Sequence, residues 1–316
     1  MFKRLLTIAV IFTFIFFNNL SAQDEFQKFV EKVAENQIEG YIKPFTTAFS
    51  TAINSGLYHT AQTHKTGGFD LTIKGIVVLI PGEAKTFTAY IPPGGSQEWS
   101  TIFGQKRSDN LPPENLNPGG LDLKLVPMAV PQISFGIGND FETLIRFLKF
   151  DLGKFGDVSL YGIGLKHNLK RYFLKLPGIP DISIQGAYQI FKAGDIVDSK
   201  SLSLNAHISK SLLLFTLFGG LGLEYTNFDI DYTFTGPGDG KVFIAMKEKN
   251  IPRFVGGIMF KLGLLSLNCE INWGKYNSIS AGVGITLSLA LTSRSEEGST
   301  PSPVRSFPRK FSPSMA

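Results

Sequence analysis

Residues 264–291 read LLSLNCEINWGKYNSISAGVGITLSLAL. Odd and even positions separate cleanly. Leu265, Leu267, Cys269, Ile271 and Trp273 fall on one side; Ser266, Asn268, Glu270 and Asn272 fall on the other. Past a turn at 275–277 the alternation resumes. Ile279, Ala281, Val283, Ile285, Leu287 and Leu289 then oppose Ser278, Ser280, Gly282, Gly284, Thr286 and Ser288. Strand side chains alternate with period two, so this is a hairpin with one apolar face and one face of small and polar residues. Two details favour a membrane barrel over a soluble sandwich. The strands approach the ~9–11 residues that a tilted strand needs to cross a bilayer. Trp273 and Tyr276 stand where the apolar face ends, as interface aromatics do.

Working outward, the same pattern recurs at 68–80, 128–138, 140–151, 157–170, 180–193, 199–210, 212–230 and 252–263. With the hairpin this makes about ten strands, and two more could lie in 81–127 or 228–250, so an even number from 10 to 14 is expected, bacterial single-chain barrels having even numbers. Prolines and glycines punctuate 81–127, which therefore reads as irregular rather than as barrel wall. Residues 228–250, with Gly236, Pro237, Gly238 and Gly240, read as a long external loop. The expected fold is all-β: an antiparallel transmembrane β-barrel with a short helical amino-terminal segment.

Composition agrees. The 316 residues are 43% hydrophobic and 18% charged, too apolar for disorder and poor in charge for a soluble domain. The net charge of +5 comes without a long basic run, which gives no footing for nucleic acid. Cys269 is the single cysteine, so no intrachain disulfide can form.

Residues 1–22 form a secretory signal: Lys3 and Arg4, then an apolar core at 5–17, then Ser21-Ala22 before Gln23. Mass spectrometry of the membrane-fraction protein is expected to find a mature start near Gln23; a chain still carrying residues 1–17 refutes cleavage. Residues 23–60 change period. Phe26, Phe29, Val30 and Val33 recur at helical spacing; after Pro44, so do Phe45, Ala48, Phe49 and Ile53, up to Asn54-Ser55-Gly56. Two short helices follow from this reading, as a cap over the barrel or a plug in its mouth. As a hatch they would use Phe26, Phe29, Val33, Phe45, Phe49 and Ile53. The barrel then spans 61–291, and 292–316, rich in Ser, Pro and charge, reads as a disordered tail.

No motif carries chemistry. The Gly-x-Gly pairs at 162–164, 220–222 and 282–284 sit inside strands, where they relieve packing instead of cradling a phosphate. His59 and His64 lack the further ligands a zinc site needs and read as a hydrogen-bonding pair in a loop. No catalytic, metal or cofactor residue is assigned, and no enzymatic activity is expected. Lys166, Lys170, Glu224, Arg253, Lys261 and Glu270 lie on polar faces and are candidates for lumen charges. They would either lock the barrel or form a charged constriction.

Ser21-Ala22-Gln23, the run Asn54-Ser55-Gly56-Leu57-Tyr58, and Lys65-Thr66-Gly67-Gly68-Phe69-Asp70-Leu71 entering the first strand resemble a family of outer-membrane β-barrel proteins of unknown function. The resemblance covers most of 1–290 and implies location and fold only. In layout, helices before a barrel are also similar to the fatty-acid uptake barrels with an amino-terminal hatch, though no ligand-binding residue carries over. The expected function is passive or hatch-gated passage of small hydrophobic molecules through the bacterial outer membrane, with membrane lipid as partner. The alternative is a structural or partner-binding barrel with a filled lumen; an embedded enzyme is the third reading. Facing also implies that Leu267→Arg hinders insertion and that Asn268→Arg, on the lumen side, is milder.

Overall fold

The computed structural model describes residues 35–91, 95–108, 116–151, 157–173, 178–234 and 240–287. The expected signal peptide, the expected hatch residues Phe26, Phe29 and Val33, and the 292–316 tail lie outside the described residues. A helix, α1 (Glu35–Asn54), precedes β1 (Phe69–Leu79), β2 (Thr86–Ile91), β3 (Gly95–Ser100), β4 (Leu125–Gly138), β5 (Phe141–Asp151) and β6 (Asp157–Asn168). There follow β7 (Asp181–Ala193), β8 (Val197–Leu212), β9 (Phe215–Phe234), β10 (Gly240–Leu262), β11 (Leu265–Trp273) and β12 (Ser278–Leu287). Ten strands, β4 to β12 with β1, close into a barrel, and β2 pairs with β3 apart from it. All barrel neighbours are antiparallel, and β1 seals the wall: Leu71 faces Ile285 of β12 on one side and Ile133 of β4 on the other.

Burial sorts the two faces as the alternation requires. Along β11, Leu265, Leu267, Cys269, Ile271 and Trp273 are exposed, and Ser266, Asn268, Glu270 and Asn272 are buried. The other strands repeat this, for instance Leu202 and Leu204 outside against Ser201, Ser203 and Asn205 inside. The outside is therefore apolar and the inside polar, the reverse of a water-soluble barrel and the arrangement of a transmembrane one. Nine residues of β11, at about 3.4 Å each and a tilt of about 40°, rise roughly 23 Å, close to the ~25 Å apolar band of such barrels.

The two ends differ. At the lower end β1 begins and β12 stops, and two-residue turns join β4 to β5, β8 to β9 and β10 to β11. At Asn139-Asp140 both residues have positive φ (51° and 63°), the backbone that a tight hairpin of this twist demands. The fourth connection at the lower end, β6 to β7 across 169–180, is longer, and the upper end carries the longest, 80–124. Residues 228–250, expected as a loop, are mostly strand. β9 and β10 continue as a hairpin past their neighbours, pairing as far as Phe234 with Gly240. Its inward residues Phe228, Ile230, Ile244 and Met246 are buried, which ties the hairpin down where an exposed loop would leave them wet. The 80–124 segment folds over the same end through β2, β3 and irregular chain.

Two further expectations change. α1 is one helix running through Pro44, not two broken at it. A proline inside a helix costs about 3 kcal/mol, and here burial of most of α1 within the barrel offsets it. Thr47 also donates its hydroxyl to the Lys43 carbonyl at 3.0 Å, and Thr46 donates to Glu248 of β10 at 2.7 Å, which fixes this turn of the helix to the wall. Tyr276 is not an interface aromatic: it turns inward from the β11–β12 connection and joins the apolar core. Trp273 does stand outside at the end of β11.

Candidate functional site: the occupied lumen

The interior has two tiers. In the upper one, Phe191, Phe228, Ile230, Ile244 and Met246 of the wall surround Ile38, Ile42, Phe49 and Ile53 of α1. Phe49 packs on Phe191 with ring centroids 4.3 Å apart and meets Phe228 edge-on at 6.2 Å. Of the hatch residues, Phe45 packs on this core while Phe49 and Ile53 lie within it. The helix is bracketed from above by the 80–124 segment. Gln37 donates to the Tyr90 carbonyl at 2.8 Å and Tyr41 to the Gly119 carbonyl at 3.0 Å. At Gly40 the helix passes so close to Phe87 that an added Cβ would sit 2.6 Å from the ring. Burial pushes the phenols of Tyr41 and Tyr276 well above their usual range, so both remain neutral.

The lower tier is polar and begins where α1 ends. A helix leaves its last carbonyls without partners and carries partial negative charge there. Arg146 of β5, buried on the inner wall, answers both needs: it donates to the carbonyls of Ile53 and Ser55, each at 2.7 Å, and to the Gln132 side chain at 2.9 Å. Gln189 adds a second donor to Ile53 at 2.8 Å. Around this end Ser50 bonds Thr226, Asn54 donates to Ser201, and Ser55 bonds Ser278, all at 2.7–2.8 Å. Gly56, at φ +70°, turns the chain, and its N–H reaches Glu270 at 2.7 Å.

Below the turn the chain is extended and its backbone is bonded to the wall. Ala61 N–H donates to Ser209 at 2.9 Å, and the Ala61 carbonyl accepts from Asn168 and Ser183. The Tyr58 ring stacks on His207 at 4.0 Å, in space that only glycine leaves: a Cβ on Gly220 would lie 2.5 Å from the Tyr58 hydroxyl. At the lower mouth Gln62 donates to Asp181 and His64 to Glu142. The leader thus threads the barrel from its upper mouth to its lower one before β1 begins.

The inner wall carries charge of both signs. Asp70, Glu142, Asp181, Glu224, Glu248 and Glu270 are buried with Lys74, Arg146, Lys166 and Arg253. Of these carboxylates, Glu248 and Asp181 lie against half-exposed lysines, Lys43 and Lys275 in the one case and Lys170 in the other. Lys166 pairs with Glu142 at 2.7 Å and Arg253 with Glu224 at 2.6 Å. Four of the six sequence candidates, Lys166, Glu224, Arg253 and Glu270, therefore stand on the lumen wall. Lys261 is inward by register, opposite Ser266, but only partly buried at the lower end. Lys170 is off the wall: it starts a short turn after β6, with its ammonium half exposed and 3.4 Å from Asp181 at the rim. His59 and His64 do not bond each other; they reach Asp70 at 3.3 Å and Glu142 at 2.8 Å.

Arg146 and Lys74 were not visible as lumen residues, because both faces of 141–150 are rich in apolar side chains and β1 carries Lys74 amid apolar neighbours. A usable signal exists: a charge in the middle of a lipid-crossing strand has to face inward. Among the described residues no three His, Cys, Asp or Glu side chains gather as a metal site.

Residues 1–287 match a family described as "Family of unknown function (DUF6588)". No curated protein matches the chain. Solved structures with some likeness are barrels. The translocator domain of autotransporter NalP from Neisseria meningitidis is 10% identical, with 80% of this chain and 97% of that one covered and a TM-score of 0.34. The amino-terminal β-barrel domain of Pseudomonas aeruginosa OprF is 15% identical, covering 47% and 98% with a TM-score of 0.25. The Ralstonia pickettii toluene transporter TbuX is 10% identical, covering 73% and 91%, also at 0.25. At such identities and TM-scores these barrels say nothing about function, and the fold rests on its own strand pairing and burial.

Proposed function

We propose that this chain, which belongs to the family of unknown function DUF6588, is a bacterial outer-membrane barrel closed by its own amino-terminal segment, an anchor rather than a pore. One observation carries the reading: the inner wall is dry. Ser203, Glu224, Ser266, Asn272, Ser278 and Ser280 have essentially no solvent exposure, where an open channel would wet them. The leader that excludes water is held by buried hydrogen bonds at both tiers, and each would cost about 1–3 kcal/mol if broken without replacement. The hatch-gated alternative requires breaking many of them together.

On this reading the barrel holds the extended β9–β10 hairpin and the 80–124 cap rigidly above the membrane, where a partner can engage them. The lower end, where three of the four hairpin connections are two residues long, faces the periplasm, as short turns do in such barrels. Catalysis has no part in the proposal. Conductance in planar bilayers tests it. Ser50 and Thr226, whose hydroxyls lie 2.7 Å apart, are replaced by cysteines in a Cys269→Ser background, so that a disulfide can lock the helix to the wall. The intact protein and the locked variant, oxidised or reduced, are all expected to be silent. Current that appears on reduction and vanishes on oxidation overturns the anchor reading in favour of a hatch.

A further inference from the structure

On the outer wall β10 departs from its register with β9. Asn250 pairs with Glu224 and Arg253 with Gly222, so Ile251 and Pro252 together oppose the single residue Leu223. Such a bulge is where a strand accepts a proline, and it turns side chains away from the ladder. Beside it lies an open groove of about 520 Å³ lined by Lys249, Ile251, Pro252, Phe254, Trp273 and Lys275, among others. That is the size of a small-molecule site, which usually runs to ~300–1,000 Å³.

Its chemistry is specific. The lining holds two lysines and no carboxylate. Two other outward lysines are neutralised, Lys149 3.0 Å from Asp157 and Lys192 2.9 Å from Asp198, while Lys200 and Lys247 on the neighbouring stretch of β8 and β10 are exposed beside Lys249. Lys249 instead lies over the ring of Tyr225 at 5.9 Å, and among the described residues no carboxylate stands within ion-pair distance of it. The Lys275 ammonium turns to Glu248, a buried carboxylate that also holds Lys43 and Thr46 of α1, so the charge that the groove leaves without a partner is that of Lys249. Beneath the lysines Phe254 and Trp273 are each about half exposed, 49% and 47%, and the Trp273 ring lies against Gly256 of the neighbouring strand. The groove therefore joins an ammonium-lined top to an aromatic floor at the upper edge of the apolar band.

We propose that this groove binds the phosphate-bearing headgroup of an outer-leaflet glycolipid, with the first part of an acyl chain laid over Phe254 and Trp273. The inference rests on the outer-membrane reading above only for which leaflet the site meets. Phosphate supplies the counter-charge that Lys249 lacks, and the lipid keeps the aromatic floor out of water.

The test uses the full mature chain in a Trp99→Phe background, so that Trp273 is the sole indole and its fluorescence reports the site. Delipidated protein in neutral detergent is titrated with three probes: a bisphosphorylated glucosamine lipid, the same lipid stripped of phosphate, and inorganic phosphate alone. The phosphorylated lipid is expected to bind, the stripped lipid at least about fivefold more weakly, the effect of one basic residue at a membrane surface. Inorganic phosphate is expected to give no shift at matched concentration. Lys249→Gln should weaken the phosphorylated lipid by a similar factor and leave the stripped lipid unchanged, and Lys249→Arg should restore binding. Equal affinity for the two lipids, or an unchanged Lys249→Gln variant, overturns the proposal; inorganic phosphate binding as tightly as the lipid makes the groove a free-phosphate site and overturns it too. Membrane fractionation reads the location separately: an inner-membrane protein that still passes the titration would refute the outer-membrane reading and leave the headgroup site standing.

Discussion

Arg146→Ala is expected to loosen the leader inside an otherwise intact barrel. The guanidinium donates to two carbonyls at the end of α1, at 2.7 Å each. Hydrogen bonds to a charged group contribute about 1.5–3 kcal/mol apiece, and the loss also strands buried carbonyls at the negative end of a helix. Counting the two bonds alone, the loss is on the order of 3 kcal/mol, or about 100-fold in the opening equilibrium of the helix end. Amide hydrogen exchange at Thr51–Gly56 reads it directly. Arg146→Lys keeps the charge but not the planar fork, and should recover part of the protection. Should Arg146→Ala fail to insert, Gln189→Leu removes one donor to Ile53 and gives a smaller change of the same kind. Unaltered exchange in a folded Arg146→Ala barrel would mean that the helix end is held by the upper tier alone.

Asn268→Arg is expected to damage the barrel at least as much as Leu267→Arg, contrary to what facing alone suggests. Leu267 is exposed on the lipid side, where an arginine near the midplane costs roughly 2–4 kcal/mol. A water-filled lumen would take the neighbouring arginine with little cost. Here Asn268 is buried, accepts from the Lys74 ammonium, and sits so close to Gly282 that even a Cβ there would lie 2.7 Å from its amide. An arginine meets a like charge and no space, combining overpacking at about 1–3 kcal/mol with a buried unpaired charge at about 3–5 kcal/mol. The measurement is the urea midpoint of folding into vesicles, followed by heat-modifiable mobility. A clearly milder Asn268→Arg would show that water reaches the lumen after all.

The wall was legible because lipid imposes a strict rule on every second residue. Leu265–Trp273 announces its facing without reference to the rest of the chain, and the ten strands follow by repetition. Two features escaped for opposite reasons. Residues 228–250 carry glycines and a proline that signal a loop, yet Phe228, Ile230, Ile244 and Met246 have a core to bury against once α1 stands beside them, and that partner is almost 200 residues away. Pro44 signals a break, yet a helix enclosed on all sides is held by its surroundings more than by its own backbone bonds. The occupied lumen stood in the sequence only as one of two alternatives. Serines and glycines on inward faces suit a wet channel as well as a snug sleeve, and only the fit of Tyr58 beside Gly220, or of Arg146 beneath Ile53, tells them apart.

The path of the leader has a consequence for how the molecule is put together. α1 and the extended chain below it fill the bore and are joined covalently to β1 at the lower mouth. A cylinder this tightly filled has no clearance for a preformed helix to slide through, so the wall has to wrap the leader while a seam is still open. The β1–β12 pairing is the seam between the first and last strands of the barrel, which makes the leader the mandrel on which the cylinder is rolled. The chain also comes into the bore from the upper mouth at α1 and ends its last strand at the lower mouth. Sequence fused ahead of α1 would therefore emerge on one side of the membrane, and sequence fused after Leu287 on the other.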